Sequence, residues 1–170
     1  MAAEPPPAVI VMGVSGTGKT TVAKALSAAV GWTFEEGDSL HPQANIDKMS
    51  RGEPLTDADR APWLAAIGRW IDRQAAKSEP SILTCSALKR AYRDELRAGR
   101  PQVRFVFLTG PRQLILERME HRKDHFMRPE MLDSQLRTLE PPTPDEHAIV
   151  VDVDADTAEE VAQIRRALEI

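Results

Sequence analysis

Two rhythms of apolar residues take turns along the chain, one continuous and short, the other spaced by three and four. Ala8 to Met12 is an unbroken apolar run, rich in β-branched residues and ended by Gly13, the pattern of a strand buried on both faces. Thr20 to Val30 then sets Val22, Ala25, Leu26 and Ala29 at helical spacing, with Gly31 as the stop signal. Further strands are predicted at Trp32 to Glu35, Ser81 to Cys85, Val103 to Leu108 and Ala148 to Val153. Helices are predicted near Asn45 to Ser50, Lys89 to Arg97, Pro111 to Glu120, Glu130 to Leu139 and Ala158 to Leu168. A longer helix opens at the capping pattern Thr56-x-x-Asp59 and aligns Trp63, Leu64, Ile67 and Ile71, and Thr157-x-x-Glu160 reads as a capping box for the last helix.

Strands separated regularly by helices imply right-handed crossovers, hence a five-stranded parallel sheet flanked by helices, a three-layer α/β sandwich with ligands at the carboxyl ends of the strands. One segment breaks the alternation. His121 to Pro129, with charges around Phe126 and Met127, reads as a mobile loop.

At 170 residues the chain fits a single domain over 8–170, preceded by a Pro-rich lead at 1–7 that is expected to be disordered. The net charge of −4 argues against a broad nucleic-acid or anionic-membrane surface, so an anionic ligand has to be held by a focused cluster. Cys85 stands alone, which removes any internal disulfide and makes a cytoplasmic address the default; it reads as a small buried side chain. Neither an export signal nor an apolar run of bilayer length is present.

Gly13-Val14-Ser15-Gly16-Thr17-Gly18-Lys19-Thr20 fits the pattern G-x-x-x-x-G-K-[ST], between an apolar strand and an amphipathic helix. Glycines let such a loop wrap phosphates with its N–H groups pointing inward, and the following helix adds the positive end of its dipole. The expected ligand is ATP with Mg²⁺, bound by the loop through Thr21, with Lys19 on the β- and γ-phosphates and the Thr20 hydroxyl on the metal. Neither Asn-Lys-x-Asp nor a switch-type Asp-x-x-Gly is found, which argues against a regulatory GTPase. The expected class is therefore the P-loop NTPase fold with a small mobile lid about 121–129.

Glu36-Gly37-Asp38 follows the second strand and should emerge beside the phosphate loop. A kinase acting on a hydroxyl needs one carboxylate to orient the nucleophile and an acidic group for the metal's waters, but the tripeptide alone is equally an acidic turn. The longer strings Gly37-Asp38-Ser39-Leu40-His41-Pro42, Asn45, Lys48-Met49, Asp57, Asp59-Arg60, Pro62-Trp63-Leu64, Cys85-Ser86-Ala87-Leu88-Lys89-Arg90, Tyr92-Arg93-Asp94, His125-Phe126-Met127 and Ser134-Gln135 closely resemble gluconate kinase. The resemblance runs from Val9 to about Val151.

That resemblance implies Mg-ATP-dependent phosphorylation of D-gluconate at its 6-hydroxyl, with shikimate or another sugar acid as the alternative acceptor, and a homodimer. It makes Asp38 the acceptor-binding carboxylate and base, and Glu36 a water-mediated metal group, although the family often has the shorter Asp there. Arg60 would meet the acceptor's carboxylate with its planar fork, or else be a helix-face charge paired with Asp57 or Asp59. Lys89 comes first among Lys89, Arg90 and Arg93 as a further acceptor contact; helical spacing puts Lys89 and Arg93 on one face, and a surface role is the alternative for each. His41 either hydrogen-bonds a polyol hydroxyl or caps the turn before Pro42, and Gln135 is expected at the acceptor. Arg118, Arg122, Lys123 and His125 correspond to the lid region, Arg122 for the transferring phosphoryl and Arg118 for stacking on adenine.

Overall fold

A computed structural model describes residues 4–120 and 129–170. The first half alternates β1 (Ala8–Met12), α1 (Lys19–Val30), β2 (Thr33–Glu36), a 3-10 turn over Gly37–Leu40, then α2 (Gln43–Ser50) and α3 (Asp57–Ala76). The second half runs β3 (Ser81–Thr84), α4 (Arg90–Arg97), β4 (Val103–Thr109), α5 (Arg112–Glu120), α6 (Pro129–Thr138), a 3-10 turn over Pro144–Glu146, β5 (Ile149–Asp152) and α7 (Thr157–Leu168). The strands form one parallel sheet in the order β2-β3-β1-β4-β5, so β1 lies at its centre, paired with β3 and β4.

Because side chains alternate along a strand, β1 feeds two cores. Val9 and Val11 pack with Val22 and Leu26 of α1, Ile115 of α5, Leu132 of α6 and Ile164 of α7. Ala8, Ile10 and Met12 face the other way, against Trp63, Leu64, Ile67 and Ile71 of α3 and Tyr92 and Leu96 of α4. These two cores are the helix–sheet–helix layers expected from the apolar pattern. The chain is already tied to the sheet at Pro7, whose carbonyl accepts the Ser81 amide at 3.1 Å.

The capping box at α3 is present: the Asp59 amide donates to Thr56 Oγ1 at 3.1 Å, and the Thr56 amide to Asp59 Oδ2 at 2.8 Å. That at α7 is not. Asp156 is the cap, accepting the Glu159 amide at 2.8 Å, one residue earlier than Thr157. Aspartate is a better N-cap than threonine, and the shift leaves Glu160 turned into the protein rather than back toward the cap, only 3% exposed.

Three chain segments leave the carboxyl edge of the sheet side by side: Gly13 after β1, Gly37 after β2 and Cys85 after β3. The Gly13 amide donates to the Ser86 carbonyl at 3.3 Å, joining the first to the third. Gly37 lies so close to β3 that a Cβ would meet the Thr84 carbonyl oxygen at 1.9 Å, so only glycine fits there. Among the described residues, no helix is long and apolar enough to cross a membrane.

Candidate active site

The loop between β1 and α1 is left open to receive an anion. Gly18, the residue before α1, makes no side-chain cap, and the first turn carries no acidic residue, so its N–H groups keep their capacity for an anion. Gly16, at φ +88°, has its missing Cβ position 2.5 Å from Met119 Cγ, which lets α5 close over the loop. Thr17 is buried and its hydroxyl donates to the Val14 carbonyl at 2.8 Å, bracing the turn from inside. Lys19 Nζ donates to the carbonyls of Gly13 (2.9 Å) and Val14 (3.2 Å), which holds the ammonium across the loop.

Gln135 of α6 reaches the same loop. Its Oε1 accepts the Ser15 amide at 2.7 Å and its Nε2 donates to Ser15 Oγ at 3.1 Å. Expected at the acceptor, Gln135 makes these contacts with Ser15 of the phosphate loop. Arg118 and Thr21 line a cavity of about 140 Å³ together with Gly16, Thr17, Gly18 and Glu160. Arg122, Lys123 and His125 lie outside the described residues.

The acidic turn is held from three sides. The Thr84 hydroxyl donates to Glu36 Oε2 at 2.7 Å and accepts the Gly37 amide at 3.3 Å, while the indole of Trp63 donates to the Gly37 carbonyl at 2.8 Å. His41 stacks on the Trp63 ring, with centroids 4.2 Å apart, and its Nδ1 accepts from Asn45 Nδ2 at 3.2 Å. The same Asn45 amide donates to the Asp59 carbonyl at 2.8 Å, locking the turn to the start of α3. Burial lowers the His41 pKa, Asp38 opposes that and Arg60 adds to it, so the imidazole is held neutral within the field of both groups.

Where α3 and α4 begin, a cluster forms around Tyr92. Asp57 accepts from the Tyr92 hydroxyl and from Lys89 Nζ at 3.1 Å, and Arg60 Nη1 is 3.9 Å from the same carboxylate. Arg60 Nη1 also donates to the Tyr92 hydroxyl at 3.2 Å, and the Arg60 and Lys89 cations stand 5.7 and 5.6 Å from the ring centroid. The hydrogen bonds from Tyr92 and then Lys89 pull the Asp57 pKa down, and the Asp57 bond raises that of Lys89. The Asp57 side chain is 67% exposed, so two cations and a phenol converge on a carboxylate that is open to solvent.

Lys89 and Arg93 do not share a face. Lys89 caps α4 in an extended conformation and turns toward α3, while Arg93 is 1% exposed and points the other way. Arg93 forms a two-bond pair with the equally buried Glu146, at 2.7 and 3.1 Å, and donates to the carbonyls of Ala87 (2.8 Å) and Glu140 (2.9 Å). It is an internal strut, neither a ligand group nor a surface charge. Arg90 is exposed and pairs with Asp145 at 2.5 Å. The Cys85 thiol is pushed up to about 12, chiefly by burial, with the Asp38 charge adding and that of Lys19 opposing. The fields of both charges reach this one thiol, so loop and turn converge on the end of β3, and the sulfur stays protonated and inert.

Sequence reasoning missed the holding groups. Thr84 is a hydroxyl at the last position of a buried strand, which is a usable signal at a ligand-bearing edge. The Asp57–Arg60 pairing was open to reading at its spacing of three, but nothing local couples Asp57 and Arg60 to their hydrogen-bond partners Tyr92 and Lys89, 32 residues away or more. Glu160 lies four residues before the buried Ile164, on the same helical face, and that pattern was open to reading.

A family model described as an AAA domain matches residues 9–142. The gluconokinase of Gluconobacter oxydans is 52% identical over 142 residues, covering 84% of this chain and 80% of that protein. The chain belongs to the gluconokinase family. A gluconokinase crystal structure from Sinorhizobium meliloti is 48% identical and superimposes with a TM-score of 0.86, covering 98% of this chain and 94% of that one. A shikimate kinase from Bacteroides thetaiotaomicron shares 16% identity with a TM-score of 0.69 over 96% of this chain and 99% of that one, which is likeness of fold alone.

Proposed function

We propose that this chain transfers the γ-phosphoryl group of Mg-ATP to the 6-hydroxyl of D-gluconate, as the names of its relatives suggest. The observation that carries the reading is the acidic turn, fixed by Thr84 and Trp63 beside the phosphate loop and faced by Arg60, Lys89 and Tyr92. One end of that space suits a hydroxyl to be activated and the other suits a carboxylate, and an aldonic acid carries both.

Asp38 orients the attacking hydroxyl and takes its proton. Lys19 and the N–H groups opening α1 stabilise the charge that develops on the phosphoryl oxygens and the leaving group. The acceptor's carboxylate takes the position of Asp57, receiving the Arg60 fork, Lys89 and the Tyr92 hydroxyl. His41, neutral and stacked on Trp63, presents its remaining ring nitrogen to a polyol hydroxyl. Among the described residues, no three His, Cys, Asp or Glu side chains form a metal cluster. A magnesium ion carried in on the triphosphate would supply charge neutralisation there, and the Thr20 hydroxyl and Glu36 are the residues that would hold it.

The test is Asp38→Asn, which keeps size and removes basicity. Gluconate-dependent ADP release should fall by about 10²–10⁴-fold with the dissociation constant for ATP unchanged. Retention of more than about a tenth of kcat would remove the base assignment.

A further inference from the structure

Gln135 is a polar residue set into an apolar face. On α6, Leu132 is fully buried, and Leu136 and Leu139 pack against the same core, so positions three, four and seven beyond Leu132 share the inward side of the helix. Gln135 is the first of those three positions, and a primary amide placed there needs partners for both of its ends. Both ends find them on one residue 120 positions earlier: Oε1 accepts the Ser15 amide at 2.7 Å and Nε2 donates to Ser15 Oγ at 3.1 Å. The main-chain N–H of Ser15 can only donate, which settles that the oxygen of Gln135 faces it.

The same peptide unit is gripped at its other end. The Val14 carbonyl, coplanar with the Ser15 amide, accepts from the Thr17 hydroxyl at 2.8 Å and from Lys19 Nζ at 3.2 Å. Turning the Val14–Ser15 peptide would therefore break the bond to Gln135 and move the group on which Lys19 rests. The Val14 side chain is buried in the core that also holds Leu132, so α6 and the loop share packing as well as hydrogen bonds. The far end of α6 is tied down in turn. There the Glu140 amide donates to the Leu88 carbonyl at 2.8 Å, and Glu140 Oε1 accepts the Arg90 amide at 3.0 Å.

We propose that Gln135 is a positioning residue for the nucleotide: it holds the Val14–Ser15 peptide, and with it the phosphate loop, in the shape that receives the triphosphate. This rests on the nucleotide-binding half of the function proposed above and is independent of the acceptor. A loop ordered in advance spares the ligand the cost of ordering it, so the gain appears as affinity for ATP. A contact to the acceptor, the place the sequence suggested for Gln135, would appear instead in the KM for gluconate.

The experiment is calorimetric titration of the full chain with Mg-ATP, beside steady-state kinetics with gluconate, for the wild type, Gln135→Met, Ser15→Ala and the double variant. Gln135→Met keeps the length of the side chain and removes both bonds; it should weaken ATP binding about ten-fold and leave the KM for gluconate within two-fold. Ser15→Ala removes the Nε2 bond alone and should weaken ATP binding by a smaller factor. The double variant should lose less than the product of the two factors, because the pair acts as a unit. Thermal melts confirm that each variant is folded, and if Gln135→Met is not, unchanged ATP affinity in Ser15→Ala overturns the inference. Unchanged ATP affinity in folded Gln135→Met overturns it too, as does a rise confined to the KM for gluconate or an equal loss on both ligands. Tighter ATP binding would show that Gln135 occupies the loop against the phosphates, and would also overturn it. A wild type that does not bind ATP would overturn the nucleotide-binding reading itself.

Discussion

Arg60 carries the sharpest ambiguity in the sequence, because an arginine in the first turns of a helix beside two aspartates is as easily a surface charge as a ligand. The structure gives it a phenol and a second cation for neighbours, which a surface charge does not need. Arg60→Ala should raise the KM for gluconate by about ten-fold or more and leave the KM for ATP within two-fold, as expected for loss of a charge-assisted bond worth roughly 1.5–3 kcal/mol. Arg60→Lys should recover part of the loss, since it restores charge but not the fork. Equal shifts in both constants would return Arg60 to the surface. The residues readable in advance were those whose chemistry is carried by local spacing, Gly13 to Thr20 above all. Those that escaped, Thr84 and Tyr92 among them, act across the fold, and their partners are set by packing that no local pattern encodes.

The helices and strands themselves were readable because one period dominates each segment: β1 is wholly apolar and α3 carries a single apolar face. What the pattern could not give was the direction of polar side chains on α4. Charged residues stand on both sides of its buried Tyr92 and Leu96, and the burial of Arg93 depends on Glu146 arriving from 53 residues away. Arg93 secures Ala87, a non-glycine residue at φ 46°, and so fixes the turn that delivers Lys89 to Asp57. Glu146 is the matching half: burial would raise its pKa, but the hydrogen bonds from Arg93 and Arg97 win and hold it at about 2. Arg93→Met leaves that carboxylate buried with fewer partners, at a cost of roughly 3–5 kcal/mol. The melting temperature should fall on the order of 10 °C, measured by calorimetry at neutral pH. A change of less than about 3 °C would mean the pair is not needed to hold the turn.

For the molecule as a whole, stability should carry a signature of the buried carboxyl on α7. Glu160 has a folded pKa of about 7 against an ordinary value of 4.5, so its proton is held more tightly in the folded state. Its favourable contribution is then complete below about pH 4.5 and is lost as pH rises through about 7. The unfolding free energy of the wild type, referred to Glu160→Gln at each pH, should decline across that window in nucleotide-free protein; a flat difference would mean that the carboxyl titrates normally. The parallel sheet brings the phosphate loop after β1 and the acidic turn after β2 to a common edge, with β3 between them, and the proposed function makes that edge a site with a defined acceptor. The direct measurement of that claim is the rate of ADP release by the purified chain with Mg-ATP and, in turn, gluconate, shikimate, a nucleoside monophosphate or no acceptor. Release that depends on gluconate and yields one phosphate ester per ADP is the expected result. Release that is unchanged when gluconate is omitted, or that follows shikimate or the nucleotide instead, would contradict it.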